Sequence, residues 1–560
     1  MPNYTKKRGK KKVTGDFDVG KNFRYNKKRF YVRGDAMKKN RIIQIIFSII
    51  FFYFILTVLL FVAETVSKGT ESSITNLGDA AWYLLATLTT VGYGDVTPVT
   101  MAGKTIGAIM MVSSAGVLTF LLGLTFTVLF GRLLPCFLLW CVRHRNWYVF
   151  STLDESTQIL ASRLAKEDPK AAYVFCGREE TISQEYFPTM RHHVIIDEPT
   201  EVVIKRQDPS KRCNVFFMTK NGWENDALGR GLLKRGNRPG LKVFCDADHA
   251  PDHVPDGMVL FHRPDSIARS YWTSFPVETN EKVILLVGDG KVARQILERG
   301  ILINVLPWEQ SLEYHVFGDW TEFQRDHYEL GKIVGIGVKP VDEDGLFFEG
   351  QAWNASPALL ASASRIIFCA DEEEVNLSRM TELRRHFPTR AQVDAYTSKA
   401  DDRCRNFGGD DQLLTGEIVM QEKLNRMAVK LNEFYCNKTG SGTSWMELSE
   451  FHRQSNIAAA DHLLTKIRLL LPQENVTQVT PEVCATAFAR YCELSAERKE
   501  ACRWLEHKRW MRFHVMNNWS YAPVRDNQLR HHPMLVSYEE LTEQEQALDD
   551  SAWEILGEIK

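Results

Sequence analysis

Length, composition and charge limit what this chain can be. It has 560 residues, of which 44% are hydrophobic, and a formal net charge of −1. The length predicts three or four domains. The eleven cysteines show no C-x-x-C pair and no metal-ligand spacing, and nine of them lie after residue 150, in the part of the chain expected in the cytoplasm, so we interpret them as reduced thiols rather than disulfides.

The near-neutral net charge hides a strongly basic amino-terminal segment. Residues 1–41 contain fifteen Lys or Arg against three Asp, without apolar periodicity, and we expect them to form a disordered tail. Because this tail directly precedes the first apolar run, the positive-inside rule places it in the cytoplasm. Contact of the tail with anionic lipid is left open, and no nucleic-acid partner is expected. The first apolar run starts too late for a cleavable secretory signal.

Two long apolar runs predict helices that cross a membrane. Residues 42–62 are almost wholly apolar, and at about 1.5 Å per residue they can cross about 30 Å of hydrocarbon. Residues 101–130 form a longer run, which should tilt or project beyond the bilayer. Between them, residues 77–88 predict a short helix, with Trp82 and Tyr83 placed to pack around the loop that follows.

That loop, residues 89–98, contains the sequence Thr90-Val91-Gly92-Tyr93-Gly94. A potassium ion passes selectively where rings of backbone carbonyls replace its hydration shell, and four such loops can supply the rings. Gly92 and Gly94 tolerate positive φ and can therefore help to aim successive carbonyls one way. The Thr90 hydroxyl adds a last ring, and the Tyr93 ring can brace the loop from behind. The alternative is a chance glycine-rich turn.

With Asp95 and Pro98 behind it, this loop resembles the selectivity filter of potassium channels. The resemblance implies that one chain supplies a quarter of a pore domain at 42–142, with the pore helix and filter at 77–98, and that the protein is a homotetramer in the lipid bilayer. It also implies potassium coordination by Thr90, Val91, Gly92, Tyr93 and Gly94. No voltage-sensing Arg helix precedes the first span, so gating by that device is not expected.

The second span contains candidates for a gate hinge. Potassium channels often have a glycine there, and the aligned position is Ser114, so we predict a bend at Gly116. Small residues that simply allow close helix packing are an equally good interpretation. Pro135 should break or kink the helix, and the remainder up to residue 142 is expected at the membrane interface.

Residues beyond the pore alternate apolar runs with helical patterns, which indicates α/β units around parallel sheets, in two copies at 147–277 and 280–398. In the second copy, a strand at 282–287 precedes Gly288-Asp289-Gly290-Lys291-Val292-Ala293, a G-x-G-x-x-A dinucleotide fingerprint. Gly288 allows the tight turn, Gly290 admits a pyrophosphate, and Ala293 lets helix and strand pack.

The next strand of the second copy is predicted at residues 301–306. Glu309 follows it, 21 residues after Gly288, about where a ribose-binding acid belongs. The first copy has a matching strand at 147–150, but its turn at 151–156 contains no glycine and two acidic residues that would repel phosphate. We do not expect the first copy to hold a dinucleotide in the usual way.

Both copies share a later landmark. In the first copy Asn225 follows Thr219 by six residues, and in the second Asn376 follows Ala370 by the same step. A repeated strand–turn–helix unit is the simplest explanation.

A pore followed by two such units resembles the two-transmembrane potassium channels with tandem RCK (regulator of potassium conductance) domains, over roughly residues 40–400. The resemblance implies eight RCK-like units per tetramer, in a ring that pulls the inner helices when a ligand changes its shape. NAD, ADP or ATP is then the candidate ligand at Gly288, Gly290 and Glu309. The alternative is a relic Rossmann-like fold that binds nothing. The acidic runs at 371–374 and 410–411 lack calcium-site spacing and are interpreted as solvated faces.

The carboxyl-terminal part is predominantly helical beyond a charged stretch at 399–411, which is interpreted as a linker. Pro481 can open a helix at 481–494, and a further helix contains 504–510. The residues that follow resemble the ryanodine receptor repeat (RyR) domain, although Ala522 stands where glycine is usual. The resemblance covers residues 413–560 and rests on the type and spacing of Trp519, Tyr521, Pro523, Arg525, His532 and Pro533.

These residues suit recognition rather than catalysis. Trp510, Trp519 and Tyr521 can stack on a planar base, and Arg525 offers a planar fork for phosphate. The alternative is that the aromatic residues are core, Arg525 and Asp526 form a structural ion pair, and His532 begins a turn. We predict a pocket for a nucleotide-derived second messenger, a cyclic nucleotide or an oligonucleotide, formed by Trp504, His507, Trp510, Trp519, Tyr521, Pro523, Arg525, Asp526, His532 and Pro533.

Together these features predict a membrane α-helical pore, with two transmembrane helices and a re-entrant loop, followed by cytoplasmic Rossmann-like α/β RCK domains and a mainly α-helical RyR-type domain. The predicted function is a ligand-gated, potassium-selective channel of a prokaryotic plasma (inner) membrane, with both termini cytoplasmic and no enzyme activity. A transporter subunit is disfavoured, because such transporters fuse four pore loops in one chain. A membrane-anchored nucleotide-binding regulator or enzyme would need a catalytic constellation, and the sequence has no G-x-S-x-G, H-E-x-x-H or Walker lysine.

Overall fold

The computed structural model forms two compact units, Met1–Leu134 and Pro135–Lys560. The basic tail at 1–41 and Glu309 lie outside the residues that the structure describes. The described residues are 44–66, 72–177, 186–235, 238–248, 254–307, 310–341, 343–399, 404–440 and 442–559.

Among its described residues, the first unit has the helices α1 Gln44–Val66, α2 Leu77–Leu88 and α3 Met101–Val128. By length and composition, the helix α1 and the helical stretch Met101–Val142 could each cross a bilayer, which agrees with the prediction of two spans. The first span ends at Val66 rather than at residue 62. Large apolar side chains such as Phe47 and Val112 remain exposed on these helices, as expected for surfaces that meet lipid or another subunit.

The helical stretch of the second span does not end at residue 130, and it is not broken at Pro135. After α3, the residues Leu129–Leu133 form a π-helix, and α4 Leu134–Val142 continues the helical stretch through Pro135. A proline inside a helix lacks an N–H group and crowds the carbonyl four residues earlier, here that of Gly131. Because a π-helical turn is wider than an α-helical one, it relieves this conflict without ending the helix.

The second unit begins with a six-stranded parallel sheet. Its strands are β1 Trp147–Phe150, β2 Ala172–Cys176, β3 His193–Ile196, β4 Cys213–Phe217, β5 Leu241–Asp246 and β6 Met258–Phe261. Its helices are α5 Glu155–Glu167, α6 Thr200–Val203, α7 Gly222–Arg235 and α8 Arg263–Ser274. The strand order β3-β2-β1-β4-β5-β6 is that of a Rossmann fold. Phenylalanine rings stack across its central strands at 4.9–5.1 Å between centroids: Phe175, Phe150, Phe216 and Phe244.

The second sheet repeats this order. Its strands are β7 Val283–Val287, β8 Glu313–Phe317, β9 Gly335–Ile336, β10 Gly345–Glu349, β11 Arg365–Phe368, β12 Gln392–Tyr396 and β13 Arg405–Phe407. Its helices are α9 Lys291–Ile303, α10 Thr321–Asp326, α11 Pro357–Ser362 and α12 Glu373–His386. The order is β13-β12-β11-β7-β8-β10-β9. With β9 as an added edge strand, it matches the first sheet, and the predicted repeat is confirmed.

The two α/β copies also share the hydrogen bonds of a buried asparagine. The Asn225 side chain accepts from the Thr219 amide (3.1 Å) and donates to the Thr219 and Asp246 carbonyls (2.9 and 2.8 Å). The Asn376 side chain accepts from the Ala370 amide (2.8 Å) and donates to the carbonyls of Ala370 and Tyr396 (2.8 and 3.0 Å). Each asparagine therefore ties the turn after one strand to the end of the next strand.

Two predictions in the second copy are wrong. Residues 301–303 belong to α9 rather than to a strand, and the next strand is β8, which starts at Glu313. Ile301, Leu302 and Ile303 are buried, and a short apolar run of this kind fits a buried helix as well as a strand. Residues 405–407, interpreted as part of a linker, form β13 and pair with β12.

The carboxyl-terminal region is mainly helical, as predicted. Its helices are α13 Asp410–Leu413, α14 Gly416–Val419, α15 Arg426–Thr439, α16 Glu450–Asp461, α17 Leu463–Leu470, α18 Pro481–Cys492, α19 Ala496–Met516, α20 Glu543–Gln546 and α21 Ser551–Glu554. A two-stranded ribbon pairs β14 Ser520–Tyr521 with β15 His531–His532. Phe513 and Trp519 share one hydrophobic core with Ile296 of α9, so this region packs directly on the second α/β copy.

Candidate functional site

The filter loop begins at the carboxyl end of α2. The amides of Val91 and Gly92 both donate to the Ala86 carbonyl, at 3.0 and 3.1 Å. Thr90, Gly92 and Gly94 have φ values of +59°, +57° and +75°, so every second residue is left-handed. Such an alternation turns successive peptide groups the same way, as a path of carbonyl oxygens requires. The positive φ predicted for both glycines is confirmed.

Aromatic contacts hold the loop against α2. The Trp82 ring stacks on Tyr93 with 5.7 Å between centroids and an interplanar angle of 9°. Trp82 Nε1 also donates a hydrogen bond of 3.0 Å to Asp95. Tyr83 packs differently from the prediction, because it contacts α3. Its hydroxyl lies so close to Gly107 that a Cβ on this glycine would be only 2.6 Å from it. Trp82 therefore braces the loop, whereas Tyr83 fixes α2 to α3.

Glu64 is a site residue that sequence analysis missed. It is 3% exposed, and its carboxylate accepts from the Ser72 hydroxyl (2.7 Å), the Thr100 hydroxyl (2.7 Å) and the Thr100 amide (3.1 Å). A Cβ on Gly103 would lie 2.0 Å from this carboxylate. Glu64 thus joins the end of α1 to the start of α3. Its partner Thr100 lies 36 residues along the chain and gave no local signal.

The candidate hinge residues lie inside regular helix. Ser114 is buried, and its hydroxyl donates to the Met111 carbonyl at 2.7 Å. A Cβ on Gly116 would meet no atom within 4 Å. Both residues lie within α3, and the departure from α geometry in this stretch is the π-helix Leu129–Leu133. A hinge at Ser114 or Gly116 stays a prediction.

The fingerprint of the second α/β copy has the expected close contacts. A Cβ on Gly288 would lie 2.7 Å from the Ala370 amide nitrogen, and Ala293 is fully buried. The space next to Gly290, however, is filled by Asp371, whose carboxyl carbon would lie 2.3 Å from a Cβ there. The Asp371 carboxylate accepts from the amides of Lys291 (3.1 Å) and Val292 (3.0 Å). The backbone amides expected to bind a pyrophosphate therefore already donate to the Asp371 carboxylate.

The acid at the end of the second strand is Asp319, not Glu309. Glu309 precedes β8, whereas a ribose-binding acid follows the second strand of a Rossmann fold. The Asp319 amide donates to the Asp289 carboxylate at 2.8 Å, and its own carboxylate accepts from the Thr321 amide at 3.0 Å. Hydrogen bonds from Thr321 hold the pKa of Asp319 below its ordinary value. The misplaced strand at 301–306 caused the error.

The first α/β copy uses a carboxylate where the fingerprint has glycine. Asp154 caps α5 by accepting from the Thr157 amide at 2.9 Å, and its own amide donates to the Thr157 hydroxyl at 3.0 Å. This reciprocal cap occupies the turn that would approach a pyrophosphate. The geometry agrees with the prediction that no dinucleotide binds there in the usual way.

Aromatic and imidazole rings cluster at the end of α19. The Trp510 ring lies 4.0 Å from His514 and 4.9 Å from His532, and Trp519 lies 5.4 Å from His514. Trp519 also stacks on Phe451 of α16, at 5.1 Å between centroids. The structure therefore brings together Trp510, Trp519 and His532, with His507 stacked against Trp510 at 5.8 Å between centroids, and it adds His514 and Phe451, which the sequence analysis missed. His514 had a signal, because it lies one turn after Trp510.

The remaining predicted residues divide into exposed and structural ones. Tyr521, Pro523 and Arg525 are exposed beside the cluster. His507 is buried and bonded to the Val536 carbonyl at 2.9 Å, and Trp504 lies under the Lys508 ammonium at 4.9 Å.

The alternative interpretation holds in part. Asp526 accepts from the amides of Gln528 and Leu529, and so serves its own turn. The Arg525 Nε donates to Asn527 at 3.0 Å rather than pairing with Asp526, and Pro533 follows β15 in a turn.

The imidazoles of this cluster are uncharged at neutral pH. Burial lowers the pKa of His514 to about 3, and burial together with the nearby Arg525 lowers the pKa of His532 to about 4. The Met534 amide donates to His532 Nδ1 at 3.1 Å, which assigns the ring proton to Nε2. The cluster thus combines aromatic faces, neutral imidazoles and an exposed guanidinium.

Comparison with known proteins identifies two parts of the chain. Residues 41–131 match the family model described as an ion channel, and residues 491–558 match that of the RyR domain. The RyR match starts later than the predicted 413, so the assignment of 413–490 to that domain stays a prediction.

Potassium channels are among the similar sequences. A voltage-gated potassium channel of Aeropyrum pernix is 45% identical over 64 residues, which are 11% of this chain and 21% of that protein. Human potassium voltage-gated channel subfamily A member 5 is 43% identical over 75 residues, which are 13% of this chain and 12% of that protein. The chain therefore spans about a fifth or less of the length of these relatives.

Among solved structures, the GsuK channel bound to NAD matches with a TM-score of 0.32 and 10% identity, over 68% of this chain and 84% of that one. GsuK bound to ADP matches with a TM-score of 0.31 and 13% identity, over 68% and 98%. At these values, the two structures carry no argument about ligands. Residues 41–131 are an ion-channel segment with potassium-channel relatives, and residues 491–558 are an RyR domain.

Proposed function

We propose that this protein is a homotetrameric, potassium-selective, ligand-gated channel of a prokaryotic plasma membrane, with both termini in the cytoplasm. The observation that carries the proposal is the filter loop, in which Thr90, Gly92 and Gly94 alternate with residues of ordinary φ. In a single chain, Val91 and Tyr93 are 54% and 67% exposed, as suits a loop completed by neighbouring copies. Four copies around one axis would close each ring of carbonyls around a dehydrated ion.

The α/β copies would form an RCK-type ring that transmits a ligand signal to α3. We assign the sensor to the RyR domain, at the cluster of Trp510, Trp519 and His532 with Arg525 beside it. Rings and a guanidinium suit a nucleotide-derived second messenger, because every base has a flat face and Arg binds phosphate in a planar fork. The ligand shifts the gate only by its difference in affinity between the closed and open shapes.

A second candidate is gating by NAD, ADP or ATP at the second α/β copy, with the RyR domain structural. The strand–turn–helix context of Gly288 and Gly290 and the buried Ala293 favour it. The Asp371 carboxylate counts against it, because this side chain holds the amides that a pyrophosphate needs. We therefore rank the RyR cluster first.

Potassium flux from liposomes that contain the purified protein tests the proposal, with a panel of nucleotides, cyclic nucleotides and cyclic oligonucleotides. The RyR domain is supported as the sensor if a panel member changes the flux and if Trp519→Ala, but not Gly290→Asp, abolishes this response. Loss of the response with Gly290→Asp alone would move the sensor to the second α/β copy. If Gly92→Asp leaves flux unchanged, the channel assignment fails and a membrane-anchored regulator or enzyme takes its place.

A further inference from the structure

The amino end of α9 is bound by two carboxylates from distant parts of the chain. Asp371, which follows β11, accepts from the amides of Lys291 and Val292 at 3.1 and 3.0 Å. Asp248, which follows β5 of the first α/β copy, contacts the Lys291 ammonium at 2.5 Å. The backbone donors and the side-chain cation at this helix start therefore both have internal anionic partners.

Asp248 links the two α/β copies. Its second carboxylate oxygen accepts from the Gly222 amide at the start of α7, at 3.1 Å, while the first oxygen faces Lys291. Although burial acts to raise the pKa of Asp248, the Lys291 ammonium and the Gly222 amide hold it below its ordinary value. One carboxylate thus joins the start of α7 in the first copy to the start of α9 in the second.

A phosphate group at Gly290 would need the same positions. The amino end of a helix attracts an anion through its free N–H groups and its dipole, and a carboxylate and a phosphate satisfy those groups alike. A Cβ on Gly290 would lie within 2.5 Å of all three carboxyl atoms of Asp371, so phosphate and Asp371 cannot occupy this space together. Asp371 itself is exposed and can swing into solvent.

We propose that Asp371 is an internal competitor for phosphate at the second α/β copy, and that an entering nucleoside diphosphate displaces Asp371 and takes Lys291 from Asp248. This inference rests on the second candidate of the proposed function, the nucleotide crevice at Gly288 and Gly290. Displacement would release the ion pair between the two copies. Binding of the ligand would in this way change the contact between the two α/β copies as well as the crevice itself.

Calorimetric titration of ADP into the full-length protein in lipid nanodiscs tests the competition. Asp371→Ala should bind ADP about tenfold more tightly than the wild type, since a carboxylate at a helix start is a competitor of that order. The matched control is Glu372→Ala, which removes the same charge one residue away. Glu372 is exposed and makes no hydrogen bond to the start of α9 within the described residues, so its ADP affinity should stay within about twofold. Gly290→Asp, which blocks the crevice, should not bind.

Asp371→Asn keeps the side-chain volume and guards against misfolding, and it should also bind ADP more tightly. Asp248→Asn tests the second carboxylate and should strengthen binding about threefold, because its contact with Lys291 is partly exposed.

Unchanged or weaker ADP binding by both Asp371 variants, or an equal gain in Glu372→Ala, would overturn the inference. The same holds if neither variant binds ADP. Potassium flux of the wild type, measured separately, reports on the channel proposal, so a failure of one is distinguishable from a failure of the other.

Discussion

Two glycine pairs of identical spacing serve opposite purposes in this chain. In the filter loop, a Cβ on Gly92 would meet nothing within 4 Å, and the glycine is needed because its φ is +57°. In the crevice of the second α/β copy, a Cβ on Gly288 or Gly290 would collide with backbone or with Asp371. The first pair sets the direction of successive backbone carbonyls, and the second clears space beside amides that donate to the Asp371 carboxylate. A glycine-x-glycine sequence is therefore interpretable only with its structural context.

The largest effect of a glycine substitution is expected at the filter. Gly92→Ala forces an alanine into the left-handed region at a cost of about 1–2 kcal/mol in each chain, and it should reorient the peptide groups. We expect potassium flux from liposomes to fall by more than about tenfold, with the melting of the α/β region unchanged. Gly123→Ala in α3 is the control, because a Cβ there meets nothing and its φ is not left-handed. Equal flux from both variants would contradict the assignment of Gly92.

At the crevice, the effect should be on stability instead. Gly288→Ala places a Cβ 2.7 Å from the backbone of Cys369 and Ala370, which cannot move aside as a side chain can. Overpacking of this kind costs about 1–3 kcal/mol, so thermal unfolding should shift down by several degrees. The control is Gly350→Ala, where a Cβ is free of contacts. A melting temperature equal to that of the control would show that the turn has room.

The RyR cluster differs from both glycine pairs, because its polar groups are uncharged imidazoles rather than backbone carbonyls or amides. His514 stays neutral when folded because burial lowers its pKa to about 3, whereas the unfolded chain takes up a proton below about pH 6.5. The neutral His514 therefore contributes fully to the free energy of unfolding above pH 6.5. As pH falls from 6.5 toward 3, the free energy of unfolding decreases by up to about 1.4 kcal/mol per pH unit.

Denaturant unfolding at pH 7 and pH 5 measures this loss. His514→Phe, which cannot titrate, should show a smaller decrease between the two pH values than the wild type does. An identical decrease would assign the pH dependence to other groups.

The smallest effect is expected at the brace of the filter. Trp82→Phe preserves an aromatic face for Tyr93 but removes the hydrogen bond to Asp95, which is worth about 1 kcal/mol. We expect flux to persist with reduced selectivity for potassium over sodium. Trp140→Phe, in α4 and remote from the filter in sequence, is the control. Unaltered selectivity in Trp82→Phe would assign the bracing to the ring contact alone.

Several features could be predicted from the sequence because their determinants are local. The filter glycines, the fingerprint turn and the six-residue step to Asn225 and Asn376 all depend on neighbours within a few residues. The structure confirms the positive φ of Gly92 and Gly94 and the repeated asparagine contacts.

The failures have physical causes of another kind. Residues 301–306 were misassigned because an apolar run does not distinguish a buried helix from a strand, and that error placed the predicted ribose-binding acid at Glu309, ahead of β8 rather than after it. The strand β13 was not predicted because it lies in a charged stretch, and such a stretch joins the sheet only through its backbone pairing with β12. The contacts of Asp371 and Glu64 join residues 80 and 36 positions apart, which no local pattern reveals.

The most direct test of the account is the reversal potential of the purified protein in a planar bilayer, with potassium on one side and sodium on the other. A potassium-selective filter should give a reversal potential close to that of a membrane permeable to potassium alone, and Gly92→Ala should abolish it. A current that does not distinguish the two ions, or one that Gly92→Ala leaves intact, would contradict the claim that this loop is a potassium filter.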